Sequence, residues 1–217
     1  NGINSYMTTF KDFLDESLDP KSKTLHAFDM DETLFAHDHD KVKIHVRDKN
    51  TGKKVTSLNN QQFNSHTLHP DHKYDFSEFQ SSKTFAKSAH PIRKMIAKMK
   101  GIHKRNKNVE ILTARADLDD KEHFQKHLSK YGIDAKKIHV RRAGNLGGPS
   151  PAANKKKVVS DLIKKNGYKK VHLYDDSHDN LHHFLSLKDK HPDVQFHAHH
   201  VDHDPATGKV KITTTKR

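Results

Sequence analysis

The chain has 217 residues, 32% hydrophobic and 31% charged, which suffices for one domain with a core, or one domain plus a small insertion. No apolar run approaches the roughly 20 residues that a membrane helix needs, no secretory signal is visible, and the lack of cysteine excludes disulfides and thiolate chemistry. A cytoplasmic protein is expected, and its formal net charge of +13 should concentrate anionic partners such as nucleic acid, nucleotides or phosphoproteins.

Residues 1–23 read as an N-terminal extension, in which Phe10, Phe13 and Leu14 line one face of a short helix ending before Pro20. The run Leu25, Ala27, Phe28 predicts a buried strand that ends on two carboxylates, Asp29 and Asp31, one residue apart. In an open α/β sheet this end of a strand is where ligands bind. Taken alone, the pair reads equally as two solvated aspartates in a turn.

Val42, Ile44 and Val46 alternate, Asp48–Gly52 marks a turn, and Val55 and Leu58 resume, which predicts a β-hairpin. The stretch 59–87 is polar and dotted with aromatics (Phe63, Tyr74, Phe76, Phe79, Phe85), as in short elements folded over something. From about Ser88, with Pro91 in its first turn, Ile92, Met95, Ile96 and Met99 predict a helix. A second strand, Val109–Thr113, precedes a helix carrying Phe124, Leu128 and Tyr131, and Ile138–Val140 reads as a third strand. A helix with Val158, Val159, Leu162 and Ile163 leads into a fourth strand, Val171–Tyr174. A helix with Leu181, Phe184 and Leu187 precedes a fifth strand from Val194, and Val210–Thr215 closes a terminal hairpin. Strands alternating with helices imply right-handed crossovers and a mainly parallel five-stranded sheet covered on both faces.

The predicted ends of strands one, two and four carry Asp29 and Asp31, then Thr113, then Asp175 and Asp176. Lys155, three and four residues before Val158 and Val159, shares their inward face, whereas Lys156 and Lys157 point elsewhere to solvent. With Asp-Met-Asp-Glu-Thr first, a strand ending in threonine second, a helix-borne lysine third and Asp-Asp fourth, the sequence resembles the haloacid dehalogenase superfamily from about Leu25 to Val201. The resemblance implies a Rossmann-like three-layer sandwich, residues 24–217, with a small β-rich cap or flap inserted at about 36–89.

It further implies a Mg²⁺-dependent phosphomonoester hydrolase. Asp29 would be the nucleophile, forming an aspartyl phosphate. The metal would be held by Asp29, the backbone carbonyl of Asp31, and Asp176. The Asp31 carboxyl would protonate the leaving oxygen and later deprotonate water. Thr113 would bond phosphoryl oxygens, Lys155 would complete the catalytic set, and Asp175 would orient Lys155, with Asp179 as a substitute ligand in the Asp-x-x-x-Asp variant. Thr33 and Arg115 are the further candidate substrate contacts, Arg115 reading either as a charge-assisted contact or as a solvated surface residue.

The span from Asp29 to Thr113 leaves room for an insertion, while Lys155 follows the third strand too closely for the alternative large cap. A small cover favours macromolecular ends, and Thr113-Ala114-Arg115 with Tyr174-Asp175-Asp176 resembles the polynucleotide end-repair phosphatases. Two other classes stay open: a nucleotidase or other small-molecule phosphatase, and a non-catalytic basic protein that binds nucleic acid or lies inside a phage virion. The last draws on Met7–Glu16, which resembles the head-targeting leader of tailed-phage internal proteins, although such a leader normally opens its chain. Twenty-one histidines, nine of them from His172 to His203, invite a metal reading, but they alternate along a strand without the spacing of a zinc finger.

Overall fold

A computed structural model describes residues 23–38, 42–106 and 108–217. The expected N-terminal helix and the leader-like stretch lie outside these residues. The architecture is mixed α/β. Its main sheet contains five parallel strands, β1 (Thr24–Phe28), β7 (Val109–Thr113), β8 (His139–Arg142), β9 (Lys170–Asp175) and β10 (Gln195–His203). A sixth, β11 (Val210–Lys216), runs antiparallel on the edge, and the order is β11-β10-β9-β1-β7-β8. The expected sheet has five strands; the sixth arises because the terminal hairpin extends the sheet instead of standing apart from it. With β1 paired on both edges and all five of its residues buried, the turn after it lies at the centre of the sheet's C-terminal edge.

Each sheet face has its own core. On one, Phe28, Ile111 and Val201 pack with α4 (Arg93–Arg105) and α5 (Lys121–Ser129) through Met95, Met99, Phe124 and Leu128. On the other, Leu25, Ala27, Leu173 and Phe196 meet α6 (Pro151–Asn166) and α7 (His178–Leu185) through Val159, Ile163, Leu181 and Phe184. The strict alternation of Leu25 and Ala27 against His26 and Phe28 follows from the period of two in an extended chain, and each fully buried Leu or Phe contributes about 1.5–3 kcal/mol.

The helix expected from Ser88 starts only at Arg93. Ala89–Pro91 instead forms β6, antiparallel to β2 (Phe35–His37), and Ile92 N donates to Leu34 O at 2.9 Å. Proline suits this short edge strand because it has no N–H to leave unpaired.

Between β2 and β6 the chain builds a separate small sheet of β3 (Ile44–Asp48), β4 (Lys54–Leu58) and β5 (His72–Asp75), in the order β4-β3-β5. Ile44, Val46 and Leu58 form its core with Phe63, Leu68, Tyr74 and Phe79. Gly52, at φ +68°, closes the β3–β4 turn, where Asp48 Oδ1 accepts from the N–H groups of Asn50 and Thr51. Three helices complete the insertion: α1 (Asn60–Ser65), α2 (Ser77–Gln80) and α3 (Ser82–Ser88). The last two dock on the loop after β7, where Asp119 N donates to Gln80 O at 2.8 Å and Asp119 Oδ1 accepts from Ser82 N at 2.7 Å.

Candidate active site

Parallel strands bring their C-terminal ends to one edge, so Asp29, Thr113 and Asp175 meet there although far apart in sequence. The backbone after β1 locks to its neighbour through Asp29 N donating to Tyr174 O at 2.8 Å. It then makes a tight bend in which Met30 O accepts from Leu34 N and Phe35 N at 3.0 and 2.9 Å. Glu32 takes the left-handed conformation there, φ 58°, which is rare for a residue with an unbranched charged side chain. Its Oε1 accepts from His37 N at 3.0 Å, tying the bend to β2.

Lys155 reaches this edge from α6. Ser150 caps that helix, accepting from Ala153 N, and Pro151 opens its first turn. The buried stripe Ala152, Lys155, Val159, Leu162 and Ile163 has helical spacing, so the lysine occupies a core-facing position. Its Nζ donates to Asp29 Oδ1 at 2.6 Å and to Asp175 Oδ2 at 2.8 Å. Burial opposes the ammonium charge, but the carboxylates of Asp175 and Asp29 outweigh it and hold the lysine pKa above its usual value. Lys157 is exposed and pairs with Asp161, while Lys156, expected in solvent, is half-buried and donates to Ser186 Oγ at 2.7 Å.

Carboxylate oxygens of Asp29, Asp175 and Asp176 all lie within 4.8 Å of one another. Burial pushes the Asp29 carboxyl up despite Lys155, with Asp175 and Asp176 adding repulsion. Burial and the Asp175 charge raise Asp176 to about 7. Asp175 spends both oxygens inside the protein: Oδ2 on Lys155, and Oδ1 on Ser177 N at 3.0 Å and Asn180 Nδ2 at 2.9 Å. Of the three, Asp29 and Asp176 are therefore the better placed to hold a cation. Asp179, the substitute ligand, is instead exposed and pairs with His183 at 3.3 Å, because it starts the outer face of α7.

The Asp31 carboxylate is not part of that cluster. It is clamped from two sides: Arg115 Nε lies 3.0 Å from both oxygens, Arg115 Nη2 donates to Oδ1 at 2.7 Å, and His37 Nε2 lies 2.6 Å from Oδ1. Burial works against ionisation of Asp31, but the Arg115 charge and the His37 hydrogen bond prevail and keep it well below the usual carboxylate range. Of the two readings of Arg115, a charge-assisted contact or a solvated surface residue, burial excludes the second. The Arg115 guanidinium engages Asp31 and Phe79 O at 2.6 Å, and it lies 4.9 and 5.0 Å from the Phe79 and Phe85 ring centres.

Thr113 is also buried; its Oγ1 accepts from Arg115 N at 3.1 Å and stands 3.5 Å from Asp31 Oδ2. Thr33, a candidate substrate contact, is fully buried. Its Oγ1 has no hydrogen-bond partner among the described residues.

Three participants carry no signal in the sequence. His37 comes from a strand only three residues long whose pairing is with residues 89–91, so no local pattern marks it. Asn180 anchors Asp175 from α7, and the Phe79 carbonyl anchors Arg115 from the insertion. No family model, no curated protein and no solved structure matches this chain.

Proposed function

We propose that the chain is a phosphomonoester hydrolase of the haloacid dehalogenase type, with a Rossmann-like core, a small cap formed by the insertion, and a phosphorylated nucleic-acid end or nucleotide as substrate. The observation that carries the reading is Lys155 bridging Asp29 and Asp175 beside Asp176. A buried lysine held between two carboxylates next to a third acid is costly as mere scaffolding, and it suits an anionic substrate.

The acid cluster fits Mg²⁺: its donors are hard oxygens, and burial first and mutual repulsion second raise the proton affinity of Asp29 and Asp176, a repulsion that a cation would offset. Asp29 and Asp176, with the Asp31 backbone carbonyl, would hold it, and the bound ion would shield the approach of one anion to another.

Asp29 attacks phosphorus, forming the carboxyl–phosphate bond as the ester oxygen leaves, and water later cleaves that bond to regenerate the carboxylate. Lys155 draws charge off Asp29 and the transferring group. Asp31, held as a carboxylate, is in the form that takes a proton from the attacking water; to protonate the leaving oxygen in the first step it must first gain one. Thr113 positions the backbone that carries Arg115.

Nucleic acid as the partner is supported by α4, which exposes Arg93, Lys94, Lys98, Lys104 and Arg105. The decisive experiment is hydrolysis of an aryl phosphate with and without Mg²⁺ by the wild type and by Asp29→Asn. Turnover should require the metal and vanish in the variant; retained turnover would refute the assignment. A kcat/KM for a 3′-phosphorylated oligonucleotide at or above that for the mononucleotide is expected, and a strong preference for the mononucleotide would identify a nucleotidase.

A further inference from the structure

We propose that His37 is a positioning residue that aims the Asp31 carboxylate at the substrate's leaving oxygen and ties it to the inserted unit. The assignment rests on the phosphomonoesterase reading above.

His37 is 7% exposed and touches Asp31 through one ring nitrogen only, Nε2 to Oδ1 at 2.6 Å. A carboxylate can only accept, so Nε2 carries the hydrogen of this contact. Arg115 Nη2 stands 3.4 Å from the same nitrogen, and the two donors converge on Oδ1. The other ring nitrogen, Nδ1, lies 3.4 Å from Ser88 Oγ, and that hydroxyl donates to Thr84 O at 2.8 Å, at the end of α3. The ring packs edge-on against Phe85, with centroids 5.5 Å apart. Its backbone N–H is held by Glu32 across the bend that carries Asp31. The ring is thus held through Nε2, through the residue's own backbone N–H and along one edge, with Nδ1 beside Ser88 Oγ.

Arg115 already favours Oδ1: its Nε is equidistant from the two oxygens, but its Nη2 reaches Oδ1 alone. The His37 contact also falls on Oδ1 alone and fixes that preference from a second side. Oδ2, which takes only Arg115 Nε and a long 3.5 Å approach from Thr113 Oγ1, becomes the oxygen available for proton transfer. General acid–base catalysis by a positioned group contributes on the order of 10²–10⁴ in rate, so fixing its angle is consequential even though His37 does not reach the substrate itself.

Leaving-group dependence tests the proposal. A nucleoside alkoxide needs its proton in the transition state, whereas an acidic phenol departs without one. His37→Ala should lower kcat/KM about 10²-fold on a nucleoside monophosphate but only a fewfold on dinitrophenyl phosphate. The ratio of the two losses does not depend on how much of the variant is folded. His37→Gln, whose amide nitrogen can occupy the Nε2 position, should recover most of the loss; His37→Asn, which mimics Nδ1, should not. Equal losses on both substrates, or Gln no better than Ala, would overturn the assignment.

A metal-free readout separates this from failure of the enzymatic reading. In a long-range proton–nitrogen spectrum, Asp31→Asn should shift the His37 Nε2 signal. If it does not, the contact is not formed and the proposal fails. Wild-type inactivity on both substrates with the spectral contact intact would instead remove the phosphatase reading, and the role of His37 with it.

Discussion

Lys155 and Asp29 stand 126 residues apart in the chain and 2.6 Å apart at the site. The contact exists because α6 presents a lysine on its core-facing stripe just where the parallel strands end. Removing one partner leaves the other as an uncompensated buried charge.

Lys155→Met should therefore remove activity and also cost about 3–5 kcal/mol of stability, since Asp29 and Asp175 would face each other without a cation. Urea unfolding measures the loss. Mg²⁺ should restore part of it, and a variant as stable as the wild type without metal would show that the ion pair is not formed.

Cation binding at the acid cluster predicts that Mg²⁺ raises the melting temperature of the wild type in a concentration-dependent way. Asp176→Asn should abolish the shift, whereas Asp179→Asn, an exposed residue outside the cluster, should leave it unchanged. Equal shifts in all three proteins would place the metal elsewhere.

Gly144 packs against the backbone that holds Arg115. A Cβ there would lie 2.4 Å from Ala114 O and 2.6 Å from Ala116 N, so Gly144→Ala must push the loop and move the guanidinium off Asp31. We expect at least about a tenfold loss in kcat with a stability cost of roughly 1–3 kcal/mol. Gly101→Ala, with no atom within 4 Å of the new Cβ, should leave activity unchanged and slightly stabilise α4.

Buried histidines on the face of the sheet opposite α6 and α7 should make stability fall in mild acid. His26 and His172 stack at 4.4 Å, His172 and His199 at 5.2 Å, and Tyr174 lies on His199 at 4.2 Å. His172 Nδ1 and His199 Nε2 share a hydrogen bond at 2.9 Å, and His199 Nδ1 meets Thr214 Oγ1 at 2.8 Å. Burial first, then neighbouring His197 for His172 and His172 for His199, together with Lys98, holds both rings well below the usual imidazole range. The unfolded chain thus binds more protons, so stability is complete above about pH 6.5 and falls as pH drops below it, by up to about 1.4 kcal/mol per pH unit for each proton involved. Urea midpoints between pH 8 and pH 5 should show this slope, and the double variant His172→Phe, His199→Phe should flatten it. An unchanged slope would assign acid sensitivity to other groups.

The exposed cations of α4 predict polyanion binding that weakens steeply with salt. Replacing Lys98, Lys104 and Arg105 by Gln should lower the log–log salt slope by about one for each phosphate that is no longer neutralised. Lys100, which donates to Tyr131 O at 3.2 Å, should contribute less because its ammonium is tethered. Absence of binding by the Asp29→Asn protein at low ionic strength would leave the charge a solubilising role only.

Much of the fold and the site is legible in the sequence because it depends on short periods. Alternation marks the strands that end at Asp29, Thr113 and Asp175, and helical spacing puts Lys155 among Val159, Leu162 and Ile163. Those patterns report which face of an element is apolar, and a polar residue on an apolar face stands out. The start of α4 is misplaced by the same local reading for the converse reason. Pro91 suits a helix's first turn locally, and only pairing with Phe35 makes it part of a strand.

The order of strands and helices, the acids at the strand ends and the lysine aimed at them are each set by residues within a few positions, so the linear chain suffices to find them. Packing between segments tens of residues apart settles the rest: Arg115 is buried on Asp31, His37 closes the other side and histidines stack across β1, β9 and β10. Neither partner's neighbours in sequence carry a trace of the other.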